Sequence, residues 1–137
     1  MQHNHTRKRR RDAALLAKWA ARDEADFALF GLTREQVGQT QLKLQGYVVM
    51  PGDPDYDTDR MLFNPVFNPY PCMIVYCLVE SDVAYALALS QVSTSPFTVR
   101  SGGHCTAGFS AGSGVLIDVS HLNDIGVDAA GLTATVG

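Results

Sequence analysis

The residues best placed to do chemistry lie together in Arg100-Ser101-Gly102-Gly103-His104, directly after the strand-like run Phe97-Thr98-Val99-Arg100. Paired glycines let the backbone take positive φ and approach a ligand closely, and consecutive amides in such a loop can form a nest for an anion such as a pyrophosphate. Ser101 adds a hydroxyl donor. The run lacks the Lys-Ser/Thr of a P-loop, so on these residues alone it fits a phosphate loop of several kinds or a plain tight turn, with His104 bonded to backbone. The other candidates are weaker. Cys72, Cys77 and Cys105 are an odd number without Cys-x-x-Cys spacing, which points away from a disulfide framework, zinc or a redox dithiol. Cys72 and Cys77 flank an apolar run and read as small core residues. His121 reads as a turn residue, and His3 and His5 stand in the polar start. The sequence assigns no metal ligands.

The elements that must carry this loop are legible from periodicity. Met73-Ile74-Val75-Tyr76-Cys77 is apolar on both faces, as in a buried parallel strand. Glu80-Ser81-Asp82-Val83 opens a helix, with Ser81 or Asp82 as cap, that runs toward Val92. Phe97–Arg100 then completes a βαβ unit of about 30 residues, with its loop at the C-terminal end of a parallel strand, where open α/β sheets bind ligands. Further short strands are expected at Gly114–Val119, Ile125–Asp128 and Leu132–Val136, the chain stopping in or at the end of the last.

Upstream, Leu15, Leu16, Trp19, Ala20, Phe27 and Phe30 recur at helical spacing, predicting one amphipathic helix from Asp12, its N-cap, to about Phe30, with Gly31 as stop. Thr33 and Gln36 fit a capping box for a second helix ending near Leu44. Tyr47–Met50 is a short strand closed by the turn Pro51-Gly52-Asp53-Pro54, and a proline-rich irregular segment leads to Pro71. The expected organisation is a basic start and helical extension over 1–45 and a domain proper over 46–137.

With 46% hydrophobic and 18% charged residues, the 137-residue chain has the composition of a globular domain with one core. A net charge of -3 supplies no pull toward nucleic acid, despite the run Arg7-Lys8-Arg9-Arg10-Arg11. Lys18, Arg22, Asp23, Glu24 and Asp26 interrupt what an export signal would keep apolar, and no stretch approaches the roughly 18 apolar residues of a membrane span. A cytoplasmic location without a membrane or nucleic-acid partner is expected.

Arg100-Ser101-Gly102-Gly103-His104, followed by Gly108-Phe109-Ser110 and Val115-Leu116-Ile117-Asp118-Val119-Ser120, resembles the FAD-linked oxidases of the berberine-bridge-enzyme type, whose flavin domain is called PCMH-type. The resemblance extends upstream through Pro51–Asp57, Phe63-Asn64, Pro71 and Ser81-Asp82-Val83, and downstream through Val127–Gly131 and Thr133–Gly137. It covers about residues 46–137.

The resemblance implies an α+β or α/β fold: the first subdomain of a PCMH-type domain, with a βαβ unit and further short strands behind an α-helical extension. It implies FAD as cofactor, with His104 bonded through its imidazole to the flavin 8α-methyl group. Ser101, Gly102 and Gly103 would meet the pyrophosphate, with Arg100, Cys105, Phe109 and Ser110 lining the cofactor. A neutral imidazole is a competent nucleophile near pH 7. The family's second, cysteinyl flavin link lies well downstream of the histidine, so Cys105 is not equated with it. The family also continues beyond the stretch corresponding to Gly137, through more flavin-binding glycines and the substrate base, so the sequence is expected to be truncated and inactive alone. No catalytic residue is assigned. The complete enzyme implied is an oxidoreductase moving hydride from a small alcohol, sugar or amine to flavin, with oxygen as acceptor. The alternatives are a non-redox nucleotide- or phosphate-binding module and an inactive truncated fragment.

Overall fold

The computed structural model describes residues 13–137. The basic run, His3, His5 and the proposed Asp12 cap lie outside the described residues. Residues 13–20 are helical (α1), followed by α2 (Ala25–Ala28), α3 (Arg34–Lys43), β1 (Tyr47–Val49), α4 (Tyr56–Asp59), β2 (Met73–Tyr76), α5 (Glu80–Val92), β3 (Phe97–Arg100), β4 (Val115–Asp118), β5 (Ile125–Asp128) and β6 (Thr133–Val136).

β1 to β4 form one sheet in the order β1-β2-β4-β3. β2, β4 and β3 are parallel, whereas β1 joins β2 antiparallel with Tyr47 opposite Tyr76. The expected β2–α5–β3 unit is present, and the later strand β4 inserts between its two strands. All four residues of β2 and of β4 are buried, as expected of central strands covered on both faces. Alternation divides them between two cores. Met73, Val75, Val115 and Ile117 face α5 through Ala86 and Leu89, together with Trp19, Phe27, Val37 and Leu44. Ile74, Tyr76 and Leu116 face the other way, under Val49 and Tyr56. The helical segment before residue 45 thus shares its core with the sheet. β5 and β6 pair as an antiparallel hairpin whose residues are all exposed.

The capping box of α3 is present as predicted: the Thr33 hydroxyl accepts from the Gln36 amide at 3.1 Å, and the Gln36 side chain accepts from the Thr33 amide at 2.8 Å. Two expectations are corrected. The single helix to Phe30 is broken at 21–24, because Arg22 leaves it to donate to the Pro51 carbonyl and Asp53, while Asp23 accepts from the Ala25 amide to start α2. The break lets Trp19 and Phe27 enter one core edge to face, ring centroids 6.2 Å apart. Neither Ser81 nor Asp82 caps α5, whose N-cap is Val79 without a side-chain bond. Asp82 lies inside the first turn, fully buried, and its carboxylate accepts from the amides of Gln45, Gly46 and Leu78.

Candidate functional site

Because β2, β3 and β4 run parallel, their carboxyl ends open at one edge, and the connection from β3 to β4, residues 101–114, leaves the sheet there. Its root is Arg100, only 6% exposed. The Nε group donates to Asp118 Oδ2 at 2.6 Å, Nη1 to the Asp59 carbonyl at 2.7 Å, and Nη2 to the Tyr76 hydroxyl at 3.4 Å. The other Asp118 oxygen accepts from the Ser120 amide and hydroxyl. Arg100 therefore turns its charge into the protein beneath the loop. Burial pushes both the Tyr76 hydroxyl and the neighbouring Asp59 carboxyl above their ordinary values.

Ser101, Gly102 and His104 are exposed at the edge, while Gly103 is buried with φ +69°. That left-handed conformation favours glycine and turns the following backbone outward. Among the described residues no protein acceptor faces the amides of Gly102, Gly103 and His104. Free consecutive amides around a left-handed glycine, beside an exposed hydroxyl, are a donor set suited to a phosphate or pyrophosphate. These residues fit the phosphate portion of a dinucleotide such as FAD.

The second half of the loop closes on itself. The Gly108 amide donates to the Cys105 carbonyl at 3.2 Å, and Gly108 also has positive φ, +73°. The amides of Ala107 and Phe109, the Ser110 hydroxyl and the Gly108 amide approach the Cys105 sulfur and hold its thiol below the ordinary value. Ser110 is thus engaged with Cys105, whereas the Phe109 ring is 80% exposed.

The structure brings Ser101, Gly102 and His104 onto one exposed edge around the buried Gly103, with Cys105 and Ser110 half-buried in the second half of the loop and the Arg100 side chain turned inward. It also shows a neighbour to which sequence reasoning gave no site role. Phe63 stacks on His104, ring centroids 4.4 Å apart and planes 16° from parallel, and its amide donates to the Gly103 carbonyl at 3.2 Å. Phe63 lies in an aperiodic, proline-rich stretch, where hydrophobic spacing carries no signal. His121 sits edge-on to Tyr76 at 5.8 Å, as a turn residue. Cys72 and Cys77 are buried, and burial pushes each thiol up to about 12. Among the described residues no group of three or more His, Cys, Asp or Glu could hold a metal ion, and no helix is long and apolar enough to cross a membrane.

Residues 71–137 match the family described as an FAD binding domain. The FAD-linked oxidoreductase YgaK of Bacillus subtilis, itself uncharacterized, is 36% identical over 87 residues, which are 63% of this chain and 19% of that protein. Among solved structures, 6-hydroxy-D-nicotine oxidase from Arthrobacter nicotinovorans matches with a TM-score of 0.65 and 30% identity, covering 69% of this chain and 21% of that one. The berberine-bridge-enzyme-like protein 1 of Physcomitrella patens matches with a TM-score of 0.67 at 24% identity, over 74% of this chain and 22% of that one, and at that identity speaks for the fold. The chain spans about a fifth of the length of the curated relatives it matches.

Proposed function

We infer that residues 71–137, which match the FAD binding domain, are part of such a domain in an FAD-linked oxidoreductase, and we propose that this chain binds FAD through residues 101–110 and holds it covalently at His104. In this reading the chain is part of an oxidoreductase acting on a small alcohol, sugar or amine. The observation that carries it is the exposed His104 imidazole, next in sequence to Gly102 and Gly103, whose amides, like its own, have no protein acceptor at the carboxyl edge of the parallel strands.

Ser101, Gly102 and Gly103 present their donors to the pyrophosphate, and the left-handed Gly103 keeps that backbone free of a side chain. Phe109 offers an exposed apolar ring to the cofactor. Cys105 and Ser110 line the cofactor from behind, through the turn they stabilise, and Arg100 acts through the loop it anchors. The nearby Asp118 carboxylate is neutralised by that guanidinium and adds no free negative charge beside a phosphate.

Bound flavin would supply the redox chemistry, taking a hydride from substrate and passing two electrons to molecular oxygen. His104 contributes an imidazole nitrogen as nucleophile toward the flavin 8α-methyl carbon. Forming that N–C bond would release one methyl proton and one imidazole proton and would need two electrons passed on to oxygen, giving hydrogen peroxide. The exposed imidazole edge and the absence of a hydrogen bond to its nitrogens among the described residues support this role.

The test is the absorption spectrum of the natural protein that carries this chain, purified after growth with riboflavin. Flavin bands that weaken in Gly103→Ala, where a side chain is strained at positive φ, are the expected result. A protein without flavin bands contradicts the proposal.

A further inference from the structure

The irregular stretch from Arg60 to Tyr70, which follows α4, forms a strap against the 101–110 loop. Its first end is tied down by Arg100, which donates to the carbonyls of Asp59 and Met61. Its second end is held by Arg60, which bonds the Asn68 side chain and the Pro69 carbonyl and lies over the Tyr70 ring, 3.9 Å from its centroid. Between these ties the strap meets the loop at three successive points. The Phe63 amide bonds Gly103, the Phe63 ring stacks on His104, and the Phe67 ring lies so close to Gly108 that an added Cβ there would stand 2.5 Å from it.

Phe63 is 74% exposed, so its ring contributes little to the core, and its one aromatic partner among the described residues is His104. Face-to-face stacking has a specific consequence for a nucleophilic imidazole. The lone pair of the reacting nitrogen lies in the ring plane, so a neighbour over the face leaves the nitrogen edge open while restricting rotation of the ring. An exposed histidine would otherwise spread over several rotamers, and fixing it beforehand lowers the entropic cost of reaching the reactive geometry.

We propose that Phe63 is a positioning residue for His104, setting the plane of the imidazole so that its nitrogen edge faces the incoming flavin. The proposal rests on the reading of His104 as the attachment residue. Because Phe63 is exposed and its backbone bond to Gly103 survives substitution, its role is separable from folding.

The experiment compares Phe63→Ala, Phe63→Leu and Phe63→Trp in the natural protein that carries this chain. Three quantities are followed: total FAD bound, flavin that stays with acid-precipitated protein over time, and the His104 ring-proton resonances. Phe63→Ala and Phe63→Leu are expected to bind FAD within about twofold of the unsubstituted protein but to attach it at least about fivefold more slowly, as loss of one aromatic stack implies. Phe63→Trp restores the rate. The His104 ring protons lose their upfield ring-current shift in the Ala and Leu variants. Attachment at the original rate in Phe63→Ala, loss of all FAD binding in it, or unchanged His104 resonances would each overturn the proposal. If the unsubstituted protein yields no acid-stable flavin, the attachment reading fails on its own, and the ring-current shift still decides whether Phe63 orients His104.

Discussion

Arg100 and Asp118 stand opposite each other at the ends of the parallel strands β3 and β4, and their side chains meet at 2.6 Å with 7% and 2% of their surfaces exposed. A buried pair of this kind is costly to break on one side only, because the remaining charge has no water to replace its partner. Arg100→Met or Asp118→Asn alone is expected to destabilise the protein by about 3–5 kcal/mol in urea unfolding, whereas replacing both with apolar residues costs clearly less than the sum. Additive losses would show that the pair does not act as a unit.

A comparable dependence centres on Asp82, which accepts three amides from the segments before β1 and after β2. Asp82→Ala leaves these donors without their acceptor, and a loss of roughly 3 kcal/mol in unfolding free energy is expected. Ser81→Ala, at the neighbouring exposed position, is expected to change stability by less than about 0.5 kcal/mol. Equal effects of the two would contradict the burial-based assignment.

The contrast between Ser81 and Asp82 illustrates what was legible in the sequence. Both look like helix caps locally, and only the tertiary approach of Gln45 and Gly46 gives the carboxylate its task. Local signals with a local cause were readable: the Thr33–Gln36 capping box, the doubly buried Met73–Tyr76 strand, and the glycine pair at the end of β3. Three features had non-local causes. Spacing alone carried Trp19 and Phe27 on one helix, and the break between them arises from Arg22 reaching Asp53, 31 residues away. The insertion of β4 between β2 and β3 is a matter of pairing order, which periodicity does not encode. Phe63 was visible as part of a resemblance, but its stacking on His104 depends on a strap without regular structure.

Asp53 ties the helical segment to the turn after β1 through Lys18 at 2.9 Å and Arg22 at 2.7 Å, and it also accepts the Met50 amide. Burial raises its carboxyl pKa, but the hydrogen bonds from Lys18 and Met50 and the charges of Lys18 and Arg22 outweigh this and hold it below the ordinary value. A depressed folded-state pKa contributes stability above the unfolded value of about 3.9 and loses it as pH falls through the folded value. Asp53→Asn is therefore expected to cost roughly 1–2 kcal/mol at pH 7, with the difference from the unsubstituted protein shrinking as pH falls below about 4. Urea unfolding at both pH values measures it, and a difference that grows on acidification would contradict the ion-pair account.

The three cysteines are expected to separate by reactivity. Burial pushes Cys72 and Cys77 up to about 12, whereas the Ala107 and Phe109 amides, with the Ser110 hydroxyl, lower Cys105. The thiolate is the reactive form. Iodoacetamide on the folded protein should label Cys105 first, with a pH midpoint below the ordinary thiol value of about 8.5, and Ser110→Ala should move that midpoint upward. Labelling of Cys72 or Cys77 at a similar rate would contradict the buried placement of β2.

The role proposed for the exposed imidazole of His104 is to carry the flavin. Its most direct measurement is the mass of the proteolytic peptide containing His104, taken from the natural protein that carries this chain after acid denaturation. The expected result is a peptide heavier by one FAD, absent from His104→Ala. The contradicting result is an unmodified His104 peptide with all of the flavin free in the acid supernatant.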